Sequence, residues 1–270
     1  MNNPMRIGVA GAGLIGRKHL ELIEASSDCV VAGIADPSAE AKAFAEAHSI
    51  SWYPDHRELL EQEKPDGMIV ASPNALHLAM ALDCIERGVP ALVEKPVTDA
   101  MVSAQRLHKA VQHSGVSVLV GHHRRHNPII KAVREEIAGG QIGRLTAVVL
   151  WLLRKPDDYF DVAWRREPGG GPVLINLVHD IDNLRFICGE IVEVQALTSN
   201  KARGFAVEDT AVLLLKFVSG AIGTATVSDA TPAPWNWELS SGTLAVVEAV
   251  GEAARTGARV SPGNIMEQAA

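Results

Sequence analysis

Residues 7–16 read IGVAGAGLIG, an apolar run followed by three glycines in the pattern G-x-G-x-x-G. The run predicts a buried strand, and the pattern after the glycines predicts a helix. In a dinucleotide-binding turn, Gly11 permits the sharp bend, Gly13 lets the backbone approach a pyrophosphate, and Gly16 lets the helix pack on the strand. The free N–H groups of the helix N-terminus then face the phosphates. The alternative is a glycine-rich turn without a ligand.

Asp36 follows Gly16 at the spacing of about 20 residues expected for an acidic residue that binds a ribose. It directly follows a second apolar run, residues 29–35, which predicts another buried strand. An aspartate accepts hydrogen bonds from ribose hydroxyls and repels a 2′-phosphate, so the sequence favours NAD over NADP. The alternative for Asp36 is an N-cap of the helix predicted over residues 38–48, and the two roles are compatible.

Composition limits the class of protein. A chain of 270 residues with 47% hydrophobic residues predicts a globular fold of one large domain or two smaller ones. The formal charge of -7 argues against a nucleic-acid partner. No apolar run reaches the roughly 20 residues of a membrane span, and the first residues lack a signal segment. Three cysteines in apolar surroundings predict reduced thiols in a cytoplasmic protein.

Strands and helices alternate over the first half of the chain, which predicts a doubly wound parallel sheet of the Rossmann class. Ligands of such sheets bind beyond the carboxyl ends of the strands. Asp36, Asn74, Glu94 and Lys95 each follow a predicted strand. We therefore expect these four side chains to line one cleft.

The chain carries the glycine motif, then S-P-N-x-x-H at residues 72–77 and E-K-P at residues 94–96. With these motifs it resembles the Gfo/Idh/MocA oxidoreductases, which include glucose-fructose oxidoreductase and inositol 2-dehydrogenase. The resemblance implies that Lys95 is catalytic and hydrogen-bonds the reacting hydroxyl or carbonyl, that a cis peptide precedes Pro96, and that Glu94 lies near the nicotinamide. A lysine beside an apolar wall and a cationic nicotinamide should also have a depressed pKa, which suits proton transfer. The alternative for Lys95 is an exposed lysine at a strand end.

The same resemblance implies that Asn74 and His77 line the cofactor site, with a histidine on the helix surface as the alternative for His77. The predicted cofactor-binding residues are Gly11, Gly13, Leu14, Ile15, Gly16, Asp36, Ser72, Asn74, His77, Glu94 and Lys95.

The second half of the chain carries consecutive strand patterns at residues 145–153, 192–197, 210–217 and 223–228. They predict an α+β domain with a largely antiparallel sheet, hence a Rossmann domain over 1–121 and a second domain over 122–270. One face of such a sheet is free to pack on a partner. In the family that face makes the subunit contact, which predicts a homodimer or homotetramer.

Residues 169–171, GGG, followed by His179 and Asp182, match the family's second signature. There the histidine is the proton-transfer partner of the lysine, so His179 is the second predicted catalytic residue, and an imidazole that titrates near neutrality suits that role. The alternative is a buried structural histidine bonded to Asp180 or Asp182.

The chain departs from the family pattern in two ways. Many members have an aspartate four positions before the histidine, where this chain has Ile175; the neighbouring Asn176 offers a neutral hydrogen-bonding group instead. Typical members are also longer, and the sequence near Gly242 runs abruptly into a pattern typical of the family's terminal helix, residues 243–255. We therefore expect a segment to be missing near Gly242.

Residues 121–128, GHHRRHNP, contain three histidines, but no nearby carboxylate or thiolate completes a ligand set, so no metal site is predicted. The family places a similar arginine-bearing segment beside the substrate. Arg124, Arg125 and His126 are therefore candidates for substrate contact, with hinge or surface roles as alternatives. The predicted substrate-side set is Arg124, Trp164, Arg165, Asn176 and His179.

The leading functional hypothesis is an NAD-dependent dehydrogenase that acts on a secondary alcohol of a sugar, polyol or related small molecule in a cleft between the domains. One alternative is a dinucleotide-binding sensor or interaction protein without catalysis. The other is an NAD-dependent glycosidase of the same superfamily, which oxidises its substrate transiently to cleave a glycosidic bond.

Overall fold

The computed structural model describes residues 3–153, 163–230 and 255. The chain forms two compact units, of which the first contains Met1–Glu135 and Val178–Phe186 and the second contains Glu136–Leu177 and Ile187–Ala270. By packing, residues 122–135 and the helix that carries His179 thus group with the first unit. The predicted division of the chain after residue 121 stays a prediction.

The first unit contains a six-stranded sheet in the order β3-β2-β1-β4-β5-β6, with every neighbouring pair parallel. The strands are β1 (Met5–Ala10), β2 (Cys29–Ala35), β3 (Trp52–Tyr53), β4 (Gly67–Val70), β5 (Ala91–Val93) and β6 (Val118–Val120). The chain moves outward from β1 to β3 and then returns to β4 beside β1. The strand order therefore reverses between β1 and β4, where open α/β sheets bind their ligands. The predicted doubly wound parallel sheet is confirmed.

Helices connect these strands and cover the sheet. They are α1 (Leu14–Glu24), α2 (Ala39–Ala47), α3 (His56–Glu63), α4 (Asn74–Glu86), α5 (Met101–Ser114) and α6 (Pro128–Ala138), followed much later by α7 (Val178–Cys188). One apolar cluster contains Leu20 of α1 and Val9 of β1, and another contains Leu59 of α3 and Val70 of β4. The strands read as nearly continuous apolar runs because side chains on both of their faces are buried.

The second unit contains a four-stranded sheet in the order β7-β10-β9-β8. Its strands are β7 (Ala147–Leu153), β8 (Ile191–Ser199), β9 (Thr210–Phe217) and β10 (Ile222–Ser228). Strand β10 pairs with β7 in parallel, and the other two pairs are antiparallel, which confirms the largely antiparallel sheet. Along β9 the burial alternates: Leu213 and Leu215 are buried, while Val212 and Leu214 are exposed. One face of the sheet is thus open around β9.

The expected missing segment near Gly242 and the helix expected over residues 243–255 lie outside the described residues, except for Arg255. Among the helices of the described part, none has the length and apolar character that a membrane crossing requires.

Candidate functional site

The glycine turn between β1 and α1 has the geometry that its sequence predicts. Gly11 has a φ of +92°, and a Cβ there would lie 2.6 Å from the carbonyl oxygen of Ala71 on the neighbouring β4–α4 loop. A Cβ on Gly16 would overlap the carbonyl oxygen of Gly11. Both positions therefore require glycine for the helix to pack against the strand ends.

Gly13 differs, because a Cβ there would meet nothing within 4 Å. The open space lies at the N-terminus of α1, where no side chain of the described residues caps the helix. The first-turn N–H groups of α1 are thus left for a ligand, and Leu14 beside them is 87% exposed. An uncapped helix N-terminus in front of an open glycine fits a phosphate group.

Asp36, which directly follows β2, faces this turn. Its Oδ2 accepts a hydrogen bond from the backbone N–H of Ala12 at 2.8 Å, and its Oδ1 accepts from the N–H and hydroxyl of Ser38 at 2.9 and 2.6 Å. Burial alone would raise the pKa of Asp36, but these hydrogen bonds and the positive charge of Arg17 lower it overall. The side chain is therefore an ionised carboxylate, as binding of a ribose diol needs.

The alternative interpretation of Asp36 as an N-cap is wrong. Ser38 caps α2, because its hydroxyl accepts a hydrogen bond from the N–H of Ala41 at 3.2 Å. Asp36 lies two residues earlier and holds Ser38 in place by accepting hydrogen bonds from its N–H and hydroxyl.

His77 is buried on α4, with 1% of its surface exposed, so the surface alternative for it is wrong. Its Nδ1 lies 2.9 Å from the carbonyl oxygen of Pro96, and its Nε2 lies 2.8 Å from that of Ser72. The ring thereby joins the loop after β4 to the loop after β5. A contribution of His77 to cofactor binding would act through these two loops.

The loop after β5 carries Glu94, Lys95 and Pro96. The peptide bond between Lys95 and Pro96 is cis, as the family resemblance implies. Glu94 Oε1 lies 2.8 Å from Nε2 of His19 on α1, and Glu94 Oε2 accepts from the N–H of Lys95 at 3.2 Å. Burial raises the pKa of Glu94, but the hydrogen bond and charge of His19, together with the N–H and charge of Lys95, lower it overall.

His19 is a residue that our sequence reasoning missed. It lies three positions after Gly16 and one before the buried Leu20, on the side of α1 that faces the sheet. A histidine in an otherwise apolar, sheet-facing row is the signal that indicates a buried polar partner.

His179 lies in α7 within the same unit as Lys95. Its ring meets that of His123 edge to face, with centroids 5.2 Å apart, and its Nδ1 is buried without a hydrogen-bond partner among the described residues. Burial first, and then the charges of Lys95, Arg124, His123 and His122, together lower the pKa of His179 to about 4. The expectation that His179 titrates near neutrality is therefore wrong, because its surroundings are both buried and positively charged.

Arg124 and Arg125 lie on a short 3₁₀ helix, His123–His126, and pair with α7. Arg124 Nη1 lies 2.6 Å from Asp180 Oδ1, and Arg125 donates two hydrogen bonds to the carboxylate of Asp182, at 2.6 and 2.8 Å. The aspartates thus bond to arginines, and the predicted alternative of a His179–aspartate bond is wrong. Both arginines hold α7 against this segment.

The other predicted substrate-side residues belong to the second unit. Trp164 and Arg165 lie on a short 3₁₀ helix, Ala163–Arg166, with the Arg165 guanidinium 4.9 Å from the centroid of the Trp164 ring. A Cβ on Gly170 would overlap this helix, and a Cβ on Gly171 would overlap the carboxylate of Glu208. Gly170 and Gly171 of the second signature are thus required by close packing, whereas Gly169 has a φ of +92°, which favours glycine.

Ile175 and Asn176 lie on a π-helical turn, Val173–Leu177, which leads directly into α7. Glu208 Oε1 accepts a hydrogen bond from the N–H of Val173 at the start of this turn, at 3.1 Å. Ile175 is 7% exposed, so an apolar side chain packs where many family members have an aspartate. Single π-turns of this kind are frequent near functional residues.

In the part of the chain that the structure describes, no group of three or more His, Cys, Asp or Glu side chains is arranged to hold a metal ion. The structure brings the glycine turn, Asp36, the Glu94–Lys95 loop and His179 together in the first unit. Trp164, Arg165 and Asn176 are positioned in the second unit by the contacts described above.

Comparison with known proteins agrees with this geometry. Residues 5–122 match the family described as "Oxidoreductase family, NAD-binding Rossmann fold", and residues 130–254 match the "GFO/IDH/MocA C-terminal domain". The chain is 29% identical over 187 residues to the rhizopine catabolism protein MocA of Rhizobium meliloti, covering 68% of this chain and 57% of that protein. It is 29% identical over 231 residues to the myo-inositol 2-dehydrogenase of Thermotoga maritima, covering 81% and 67%.

The solved structures include a similar protein, the WlbA dehydrogenase of Bordetella pertussis in complex with NADH and UDP-GlcNAcA. The TM-score is 0.81 at 28% identity, over 86% of this chain and 73% of that one. The chain thus spans 57% of the length of MocA and 67% of that of the inositol dehydrogenase. Its first unit carries an NAD-binding Rossmann domain, and the chain belongs to the Gfo/Idh/MocA family of oxidoreductases.

Proposed function

We propose that the protein is a dehydrogenase that transfers a hydride between NAD and a secondary alcohol of a sugar, polyol or related small molecule. The observation that carries the proposal is the placement of Lys95 and His179 in the unit that holds the glycine turn, near enough for the charge of Lys95 to lower the pKa of His179. The myo-inositol 2-dehydrogenase and the WlbA complex with NADH and a UDP-sugar support the substrate class.

The chain's own residues would hold NAD at two points. The N–H groups beside Gly13 would bind the pyrophosphate, and the carboxylate of Asp36 would accept a hydrogen bond from the adenosine ribose. Asp36 also favours NAD over NADP, because its negative charge repels a 2′-phosphate. When bound, the nicotinamide supplies the hydride acceptor.

Lys95 would orient the substrate hydroxyl, and His179 would accept its proton. The ammonium of Lys95 donates a hydrogen bond to the substrate oxygen and orients it. With its pKa lowered to about 4, His179 is neutral at pH 7 and has a ring nitrogen that can accept the proton. Arg124 and Arg125 act indirectly, because they hold α7 and thereby His179 in position.

A substrate panel tests the proposal. Purified protein with NAD⁺ is incubated with sugars, polyols and aryl glycosides, and both NADH appearance and aglycone release are recorded. NADH formation on a sugar or polyol that is lost in Lys95→Ala and His179→Ala supports the dehydrogenase. The exposed helix α5 residue Lys109 provides a matched control, Lys109→Ala, which should keep full activity.

The two alternatives give different results in the same panel. Aglycone release that requires NAD⁺ would indicate the glycosidase. Binding of NAD⁺ without turnover on any member, together with unchanged behaviour of Lys95→Ala, would indicate a sensor or interaction protein. Full turnover by Lys95→Ala on the correct substrate would overturn the assigned role of Lys95.

We also infer that the protein forms a homodimer or homotetramer through the open face of the second sheet. That face carries exposed apolar side chains, including Val149, Trp151, Leu214 and Ile222. An exposed apolar patch of this kind favours association. Light scattering after size exclusion tests it: Leu214→Glu should reduce the mass of the assembly, and an unchanged mass would argue against this face. Location in the cytoplasm is supported by the free thiols of all three cysteines.

A further inference from the structure

We propose that His123 is a positioning residue for His179: its ring holds the neighbouring imidazole in the orientation that proton transfer requires. The inference rests on the proposed role of His179 as the proton acceptor and deepens it. It assigns a role to a histidine that the proposed reaction does not otherwise use.

His179 lacks the hydrogen bond that usually orients a histidine in proton transfer. In such residues one ring nitrogen reacts, while the other is held by a carboxylate or a backbone carbonyl. The Nδ1 of His179 is buried and has no hydrogen-bond partner among the described residues. Rotation about the Cβ–Cγ bond of a histidine is a soft torsion with broad minima, so the ring does not orient itself. Another contact is needed to fix it.

The carboxylates that lie near in sequence do not supply this hydrogen bond. Asp180 is paired with Arg124 at 2.6 Å, and Asp182 accepts two hydrogen bonds from Arg125. Four positions before the histidine, where many family members carry an aspartate, the chain has the apolar Ile175. The orienting contact therefore differs from the usual carboxylate.

The ring of His123 provides such a contact. The two histidine rings meet edge to face, with their centroids 5.2 Å apart and their planes inclined by 70°. Aromatic pairs favour this arrangement, because the positive edge of one ring faces the negative face of the other. The contact restricts rotation of the half-buried His179 ring about its Cβ–Cγ bond. It can thus replace the missing hydrogen bond as the orienting contact.

His123 is a fixed support because its own segment is anchored to α7. The next two residues of the 3₁₀ helix form the ion pairs with Asp180 and Asp182 described above. These partners lie one and three positions after His179, so the anchors lie close to the ring contact. The side chain of His123 is itself exposed, and packing in a core therefore does not account for it.

Two other roles of His123 lead to different expectations. As a positive charge, it acts in addition to burial, Lys95, Arg124 and His122, all of which lower the pKa of His179. As a proton carrier, it would need a titratable nitrogen. The positioning role needs only an aromatic ring. Phenylalanine should therefore preserve that role, although it removes both the charge and the nitrogen.

The test compares His123→Ala with His123→Phe on the sugar or polyol that the wild type oxidises. His123→Ala should lower kcat roughly five- to tenfold, the value of one aromatic contact, and leave KM for NAD⁺ and substrate within about twofold. His123→Phe should keep kcat within about threefold of the wild type. His113→Ala is the matched control, because His113 is an exposed histidine in the last turn of α5, and it should keep full kcat.

Histidine NMR provides a measurement that needs no substrate. Near pH 8, where a histidine with an ordinary pKa is neutral, the side-chain resonances of His179 should be single and narrow in the wild type and in His123→Phe. They should broaden or split in His123→Ala, because the ring then samples more than one orientation. Both variants should raise the pKa of His179, since each removes the charge of His123. A difference in kcat between them therefore reports the ring and not the charge.

The outcomes separate this inference from the proposed function. If His123→Phe is as slow as His123→Ala, or if His123→Ala keeps full kcat, the positioning role is overturned and the dehydrogenase proposal stays intact. A wild-type chain that oxidises no member of the panel contradicts the proposed function. The NMR comparison then still tests the contact, because unchanged His179 resonances in His123→Ala would show that the ring of His123 does not hold that of His179. Thermal unfolding of each variant shows whether a lower kcat reflects a loss of folded protein.

Discussion

His19 Nε2 lies 2.8 Å from Glu94 Oε1, and both side chains are largely buried. The pair joins the helix that follows the glycine turn to the residue that precedes Lys95. A Cβ on Gly121 would lie 2.9 Å from the same carboxylate, so the end of β6 also packs against Glu94. The position of the predicted catalytic lysine is thus coupled to the cofactor turn by one buried hydrogen bond.

Removal of His19 should destabilise the first unit. In His19→Ala the carboxylate of Glu94 loses a buried partner, which should lower the free energy of unfolding by about 1–3 kcal/mol at pH 7. The pKa of Glu94 is lowered in the folded protein, so its carboxylate stabilises the fold at pH values above its ordinary pKa of 4.5. That contribution is lost as the pH falls through the folded-state pKa. Urea unfolding at pH 7 and near pH 4 should therefore show a smaller difference between wild type and variant at the lower pH.

The exposed His108 on α5 is the control for that comparison. His108→Ala should change the free energy of unfolding by less than about 0.5 kcal/mol, as surface substitutions usually do. If wild type and His19→Ala differ in their free energy of unfolding by the same amount at both pH values, Glu94 does not depend on His19 for its charge.

Substitutions at two glycines of the same turn should separate an effect on stability from an effect on cofactor binding. In Gly16→Ala the new Cβ overlaps the Gly11 carbonyl, which should cost roughly 1–3 kcal/mol of stability by overpacking and also impair NAD⁺ binding. In Gly13→Ala the Cβ meets no protein atom within 4 Å, so the fold should keep nearly all of its stability.

Gly13→Ala should nevertheless weaken NAD⁺ binding by roughly tenfold, because the methyl group occupies the space through which the pyrophosphate reaches the N–H groups. Thermal unfolding and calorimetric titration with NAD⁺ measure the two effects. Unchanged NAD⁺ affinity in Gly13→Ala would place the phosphates elsewhere.

Much of the fold follows from local sequence patterns. The glycine motif and the continuous apolar runs specify the parallel sheet, and alternation along residues 210–217 specifies a strand with one exposed face. These patterns act over a few residues, so a single sequence displays them. The cluster of Asp36, Glu94 and Lys95 at strand ends follows from topology alone.

The contacts that hold the site together could not be predicted in the same way. His19 and Glu94 are 75 positions apart, and Arg125 and Asp182 are 57 apart, so neither pair leaves a local pattern. The buried state of His77 depends on two backbone carbonyls that have no sequence signature. The low pKa of His179 arises from its burial and from positive charges on two other segments, the Lys95 loop and residues 122–124, which is why its motif alone suggested an ordinary imidazole.

Of the two ion pairs that hold α7, Arg125–Asp182 should contribute more to stability than Arg124–Asp180. Asp182 is 4% exposed, so Arg125→Gln leaves a buried carboxylate without its bidentate partner and should cost roughly 3 kcal/mol of stability. The double variant Arg125→Gln with Asp182→Asn removes both charges and should recover part of that loss. Denaturant unfolding of the two single variants and the double variant measures the coupling energy. Additive effects would show that the pair contributes no interaction of its own.

His179 should titrate with a pKa of about 4 in the folded protein, well below its ordinary value of 6.5. Between these two values the unfolded chain binds a proton that the folded chain does not, so this group makes stability rise with pH across that window. Lys95→Met removes one of the positive charges and should raise the pKa of His179, whereas Lys109→Met, on the exposed side of α5, should not. Histidine NMR titration of the wild type, with His179→Asn for assignment, measures the shift directly. A wild-type pKa of His179 near 6.5, or a pKa that Lys95→Met leaves unchanged, would mean that the charge of Lys95 does not act on His179. The proposed roles of the two residues in binding and transferring the hydroxyl proton would then be wrong.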